Sequence, residues 1–422
     1  MFKKFLVKSE FAGNVLTLMT GTTIAQAIPI AISPILTRIY TPDDFGVLAL
    51  FISIATIFGT ISNGRYELAI ILPEKDEDAI NIVALGTIIT TSLSLFLFLI
   101  IVIFHDYFVY LLKSPDISVW LYFVPLTILF IGIYNVLNYY NTRLKNFNII
   151  AKAGVYKSSG MVLVQLVIGF LKAGAAGLII GQMMSYLSGN IRMFRETIKD
   201  KILLQKISKK KIIANSQRYI DFPKYSLPGG FANILSQHLL NIFTSILFSV
   251  SSLGFYSLAN RMLGMPTALI GNSFSQVYFQ QATKEKHLTG KATKTFNSTV
   301  NKLFIIALPI FSILFFIVED LFAIVFGEEW IIAGTYAKIL LPLFFVRMVV
   351  SPVTVTNSIF EKQKISLLWQ AGMLFIIIGI LISTKYLELE IETFLVLISA
   401  ILSCYYLFFY FILRRVSQDK LR

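Results

Sequence analysis

Apolar runs long enough to cross a bilayer, about 20 residues each, recur along the chain with short polar stretches between them. They fall at 11–36, 45–62, 79–104, 119–140, 149–171, 174–191, 226–250, 254–279, 300–318, 336–359, 367–384 and 393–413. The pattern predicts helices, because an open sheet in lipid leaves its backbone groups unpaired, and a β-barrel would show short alternating segments instead. The start, MFKKFLVKSEF, has the basic opening of a signal peptide, with Ala25-Gln26-Ala27 as a cleavage-like pattern. The apolar run from Phe11 continues to Leu36, however, so an uncleaved first helix is expected.

Polar residues break the series most strongly between Ile191 and Lys224, where ten Lys or Arg stand against Glu196, Asp200 and Asp221. A basic segment between apolar runs reads as a cytoplasmic loop. A nucleic-acid-binding linker would need soluble domains beside it. With both termini inside, 30 of the 37 Lys and Arg residues fall on the inner side. This orientation predicts a multi-pass membrane protein with both termini in the cytoplasm. The organisation expected is an N-terminal six-helix lobe at 1–191, a basic linker at 192–225 and a C-terminal six-helix lobe at 226–422. Six helices per half give both halves the same orientation, hence a pseudo-two-fold axis along the membrane normal. A faint echo between FGVLAL at 45–50 and LGFYSL at 253–258 agrees with such a duplication.

Composition confirms the solvent: the chain is 56% hydrophobic and only 14% charged, against about 25% charged in soluble domains. Its net charge of +14 collects mostly in short loops, so no nucleic-acid partner is called for. One cysteine, Cys404, and three scattered histidines offer no metal cluster, and no cofactor is expected. Gly290-Lys291 lacks the rest of a P-loop, and no G-x-S-x-G or H-E-x-x-H pattern occurs. Nothing here encodes an enzyme.

Charges inside apolar runs carry the candidate chemistry. In an unbroken tenth helix Arg347 would stand roughly 20 Å from either end, too deep to snorkel. Arg261 lies about 10 Å into the eighth helix, and Lys157 eight residues into the fifth. All Asp and Glu are expected in loops or at helix ends, with Glu67 beside Arg65 as a local pair. A positive cavity without carboxylates suits an anion, a phosphate above all. The first helix carries Asn14 and Gln26, and the seventh carries Asn233, Gln237, His238 and Asn241. These are candidates for a sugar-binding surface, or for hydrogen bonds between helices.

Four stretches carry a family resemblance: LTRIYTPDDFG at 36–46, GRYELAI at 64–70 with acidic 74–78, GFYSLANR at 254–261, and 357–364. They resemble loops and helix motifs of bacterial O-antigen and polysaccharide flippases. The resemblance implies the multidrug/oligosaccharidyl-lipid/polysaccharide exporter superfamily, with two six-helix lobes in a V and alternating access. It further implies a lipid-linked oligosaccharide on undecaprenyl pyrophosphate as substrate, moved from the inner to the outer leaflet. The lipid bilayer and a polysaccharide polymerase complex are the partners it brings. Arg347, Arg261 and Lys157 would then meet the pyrophosphate and its sugars. A drug or small-molecule antiporter of the same fold and a non-transporting scaffold for glycan assembly are the alternatives.

Overall fold

The computed structural model describes residues 10–197 and 201–420. Twelve helices of twenty residues or more are found among them, and no strand. They are α1 (Glu10–Ile39), α2 (Pro42–Ile61), α3 (Asp76–Leu112), α4 (Val124–Arg143), α5 (Phe147–Phe170) and α6 (Ala175–Thr197). Then come α7 (Leu227–Leu247), α8 (Val250–Thr289), α9 (Thr293–Phe326), α10 (Ile331–Val350), α11 (Gln363–Tyr386) and α12 (Ile391–Ser417). Eight candidate spans are long and apolar enough to cross a membrane, or nine with the bent pair Pro115–Leu121 and Val124–Arg143. The other long helices, α6, α7 and α8, are of spanning length but more polar. The result is a helical polytopic membrane protein, compatible with about twelve spans.

Several bounds differ from the sequence expectation, each for a local reason. The third helix does not stop at 104 but continues to Leu112 past a kink at Phe104 (φ −112°, ψ 24°). The fourth span bends by 54° at its N-terminal end, where Pro125 opens α4. α8 runs on to Thr289, and α9 extends from Thr293 to Phe326, so both outreach their apolar cores. Glu319 and Asp320 therefore sit inside α9, not beyond its end. Glu319 is held by Lys338 of α10 at 2.8 Å.

The chain divides into two compact units, 1–246 and 247–422. In the first, α5 packs on α1 and α6, while α4 packs on α2, α3 and α6. Asn63 knots this second group together. Its Nδ2 donates to Thr90 Oγ1 (2.7 Å), to the Gly132 carbonyl (3.1 Å) and to the Gly86 carbonyl (3.3 Å). Gly132 has no room for a Cβ, which would lie 2.6 Å from Ser62 Oγ.

The 36–46 stretch proves to be a helix-starting device. Thr41 Oγ1 accepts from Asp44 N–H, and Asp44 Oδ2 accepts from Thr41 N–H at 3.0 Å, with Pro42 in the first turn. Tyr40, just before it, donates to the Gln165 carbonyl at 2.5 Å. Its ring lies between Gly169 and Gly177, where an added Cβ would collide with it.

α1 carries Pro29, which has no N–H to offer the Ala25 carbonyl one turn back. Ser158 of α5 supplies the missing donor, its Oγ 2.5 Å from that oxygen. Ser158→Ala should leave the carbonyl unpaired and cost about 1–3 kcal/mol. In the Pro29→Ala background the helix regains its own bond, so the same change should cost less. Thermal melting of the four proteins in detergent gives the cycle, and equal losses in both backgrounds would refute this account.

In the second unit α10 is central, packed by α8, α9 and α12. The Phe255 ring meets Trp330 and Tyr336 edge-on, with centroids at 5.7 and 6.2 Å. Trp369 of α11 is stacked between Tyr405 (3.8 Å) and Phe409 (4.0 Å) of α12.

Candidate functional site

Arg261 and Arg347 lie on α8 and α10, which run side by side in the same direction. Phe255 faces Tyr336. Farther along, Gly264 faces Phe344 and Gly271 faces Pro352, at 3.6 and 3.5 Å from an added Cβ. In this register the two arginines differ by about six residues of rise, roughly 9 Å along the helices. That distance is within the joint reach of two extended guanidinium side chains. The Arg347 guanidinium lies 5.1 Å from the centre of the Phe344 ring. Neither arginine has a carboxylate partner among the described residues.

Arg347 stays well inside its candidate span, Glu328–Ile359, but the helix around it is locally broken. The helix does not run unbroken to 359. It ends at Val350, and the chain continues as a 3-10 turn, Ser351–Val353, and a short helix, Thr356–Ile359. Pro352 cannot donate to the Met348 carbonyl, which is what breaks the helix there. Arg347 therefore stands in the last turn of α10, where the carbonyl end favours a cation. Pro352, five residues on, was the signal in the sequence.

The 357–364 stretch is fixed just beyond. Tyr278 and Thr356 share a hydrogen bond of 2.6 Å, and Lys286 Nζ donates to the Ile359 carbonyl at 2.7 Å. Asn357 Nδ2 reaches Ser366 Oγ at 3.0 Å.

Lys157 lies in the first unit on α5, with its Nζ 3.8 Å from the Tyr186 ring centre and 4.6 Å from that of Tyr134. It borders a cavity of about 420 Å³ that is also lined by Thr22, Gln26, Asn138, Thr142 and Gly154. Lys157 and Gln26, far apart in sequence, are thereby brought together. The side chain of Asn14 lies outside the described residues.

The polar residues of α7 are placed differently. Asn241 Nδ2 donates to Ser53 Oγ at 2.8 Å, and His238 Nδ1 lies 3.2 Å from the same oxygen. Ser53 spends its own proton on the Ala49 carbonyl. His238 must therefore carry a proton on Nδ1, leaving Nε2 as an acceptor. Gln237 donates to Asn233 Oδ1 at 3.3 Å on the same helix. His238 and Asn241 thus join α7 to α2, while Asn233 and Gln237 pair with each other.

Sequence reasoning missed a buried carboxylate. Glu67 is only 3% exposed, in the 3-10 turn Tyr66–Ile71. Arg65 Nη1 lies 3.4 Å from its Oε1, but Oε2 and Arg65 Nε have no hydrogen-bond partner among the described residues. Arg65 also holds a left-handed backbone (φ 63°), directly after Gly64 (φ 61°). The turn is clamped from α4 by Arg143, which donates to the carbonyls of Ile70, Ile71, Pro73 and Glu74 and pairs with Asp76.

The basic linker is docked on the same end of the first unit. Glu77 receives Lys211 at 2.5 Å and Lys206 at 3.5 Å. Asn81 donates to the Lys206 carbonyl and accepts from Ser208 N–H, which starts the helix Lys209–Arg218. Acidic 74–78 and the basic linker, separate features in the sequence, are one assembly.

A profile of the polysaccharide biosynthesis protein family matches residues 35–333, more than half of the chain. The chain belongs to that family. Among solved structures it is similar to the lipid II flippase MurJ in an inward closed conformation. Identity is 10% over 97% of this chain and 90% of that one, with a TM-score of 0.70. An outward-facing multidrug resistance MATE transporter of the MOP superfamily matches at 12% identity, covering 97% and 96%, with a TM-score of 0.61. A MOP superfamily transporter from Pyrococcus furiosus matches at 13% identity, covering 96% of each chain, with a TM-score of 0.54. No curated protein sequence matches. At these identities the likeness is one of fold: this is a multi-pass membrane protein with the architecture of MOP transporters and flippases.

Glu67 generates a pH prediction. Burial pushes its carboxyl above the ordinary 4.5, outweighing a backbone hydrogen bond and Arg65. The protonated acid then favours the folded state, so its stability contribution is full at low pH. It is lost as pH rises from about 4.5 through the raised value. Glu67→Gln removes this titration, so its melting temperature should gain on wild type as pH rises. Parallel curves would mean that Arg65 compensates the carboxylate in full.

Proposed function

We propose that this protein is a flippase that moves an undecaprenyl-pyrophosphate-linked oligosaccharide, an O-antigen or capsule repeat unit, from the inner to the outer leaflet. The observation that carries this reading is the pair Arg261 and Arg347, two cations on adjacent parallel helices without a carboxylate among the described residues to neutralise them. Two guanidinium groups roughly 9 Å apart in helix rise can grip the oxygens of one pyrophosphate from two sides. Membership of the polysaccharide biosynthesis family and the transporter fold support it. In this proposal Lys157, Gln26, Asn14, Asn233, Gln237, His238 and Asn241 meet the sugar, and the polyprenyl tail stays in lipid. The functional lobes are 1–191 and 226–422, joined by the linker 192–225. Movement is by alternating access in the cytoplasmic membrane, with both termini inside and a polysaccharide polymerase as neighbour.

A drug or small-molecule antiporter is the second reading, favoured by the likeness to MATE transporters. Glu67 gives it a buried carboxylate, but one already beside Arg65. Deletion of the gene separates the readings: mass spectrometry should find lipid-linked glycan accumulating on the cytoplasmic side. Drug sensitivity without such accumulation would favour the antiporter.

Arg347→Ala should abolish export at equal expression, while Arg347→Lys retains part of it, since Lys keeps the charge but not the planar fork. Wild-type export by Arg347→Ala would return the residue to a structural role. Topology has its own test in a Cys404→Ala background. Lys210→Cys should resist an impermeant thiol reagent in intact cells and Asp116→Cys should react, both positions being exposed. The reverse order would invert the orientation.

A further inference from the structure

The two arginines leave a third cation unexplained. Lys157 borders a cavity of about 420 Å³ within the first unit, inside the range of small-ligand pockets, about 300–1,000 Å³. Two tyrosine rings hold its ammonium group, Tyr186 at 3.8 Å and Tyr134 at 4.6 Å, and the rings meet edge-on at 6.0 Å. Such contacts contribute about 0.5–2 kcal/mol each. Removing an ammonium group from water costs several kcal/mol. No Asp or Glu among the described residues lines the cavity to make up the difference.

The rest of the lining has a definite polarity. Thr22 Oγ1 donates to the Leu18 carbonyl and Thr142 Oγ1 to the Asn138 carbonyl, both at 2.8 Å. Ser158 spends its proton on Ala25. With their protons committed, these hydroxyls keep only lone pairs to offer, and so accept. The side-chain amides of Gln26 and Asn138 have no partner among the described residues, and each can donate and accept. The cavity therefore offers acceptors for hydroxyl groups, two amides and one positive charge. A drug cation would be repelled by Lys157, and a purely apolar guest would strand the amides.

We propose that this cavity is a subsite for an acidic sugar, with Lys157 pairing its carboxylate and Gln26, Asn138, Thr22 and Thr142 reading its hydroxyl groups. The proposal rests on the flippase reading for the origin of the sugar, which would be a uronic-type residue of the exported oligosaccharide. Tyr134 and Tyr186 position the ammonium group and keep its stem from collapsing into the cavity. Gly154, at its wall, leaves space that a larger side chain would fill.

The test uses the purified full-length chain in detergent and two soluble probes, a disaccharide ending in glucuronic acid and its neutral glucose counterpart. Calorimetry should show the acidic probe binding at least about tenfold tighter, the range of one hydrogen bond to a charged group. Lys157→Met should abolish that preference, and Lys157→Arg should retain most of it. If Lys157→Met does not elute as a folded species, Lys157→Gln serves instead, and the wild-type preference is read without any variant. Equal binding of the two probes, or binding of neither, overturns the proposal. Displacement of the acidic probe by inorganic pyrophosphate at lower concentration than by free glucuronate makes Lys157 a phosphate site and also overturns it. The flippase reading fails separately, in the lipid-linked glycans of the deletion strain, whatever these soluble probes do.

Discussion

A peptide group in hydrocarbon has no water to turn to, so it must find its partner within the chain. Helices meet this demand everywhere except where proline or a turn interrupts them, and the interruptions organise this protein. At Pro29 the freed carbonyl of Ala25 is taken by Ser158, which draws α1 onto α5 beside the lysine cavity. At Pro352 the helix gives way altogether, and Arg347 stands one turn above the break. Between α2 and α3 the 64–76 turn is satisfied by a single arginine from α4. At Pro29 and in the 64–76 turn, a backbone vacancy recruits a side chain from another helix.

The charged groups sort by whether that recruitment extends to them. Glu77 with Lys206 and Lys211, and Arg143 with Asp76, are ion pairs at or near helix ends, and Glu319 with Lys338 is one between α9 and α10. They are fixed, and they hold neighbouring elements. Aromatic rings lie beside Lys157 and Arg347, and neither these two nor Arg261 has a carboxylate partner among the described residues. Cation–π contacts hold an amine or guanidinium in place without cancelling its charge. These three groups therefore keep most of their attraction for an anion that arrives from elsewhere.

The helical architecture could be read from the apolar runs because lipid permits so few alternatives. The inside-outside charge bias gave an orientation for the same reason. Local continuity was harder: Pro352 turns the chain after Val350 into a 3-10 turn, so Arg347 lies in the last turn of its helix although it stays well inside the 328–359 span. Glu67 was placed at a helix end in a local pair with Arg65, but the left-handed pair Gly64-Arg65 turns the chain inward and buries it. Nor does helical spacing show that Lys157 on α5 and Gln26 on α1 share a wall, since that depends on the α1–α5 packing. The polar face of α7 showed the opposite problem. His238 and Asn241 stood out in the sequence, yet both turn to a serine that drew no notice there.

Arg143 is separated by nearly two helices of chain from the loop that it holds. Ribosomes deliver that loop first, so its carbonyls must wait for α4 to be made and inserted before they meet their donor. The turn is consequently a late-setting joint in biogenesis. Until then, the ends of α2 and α3 that flank this loop remain free to adjust in register, and the arrival of one guanidinium joins three helices and a loop at once.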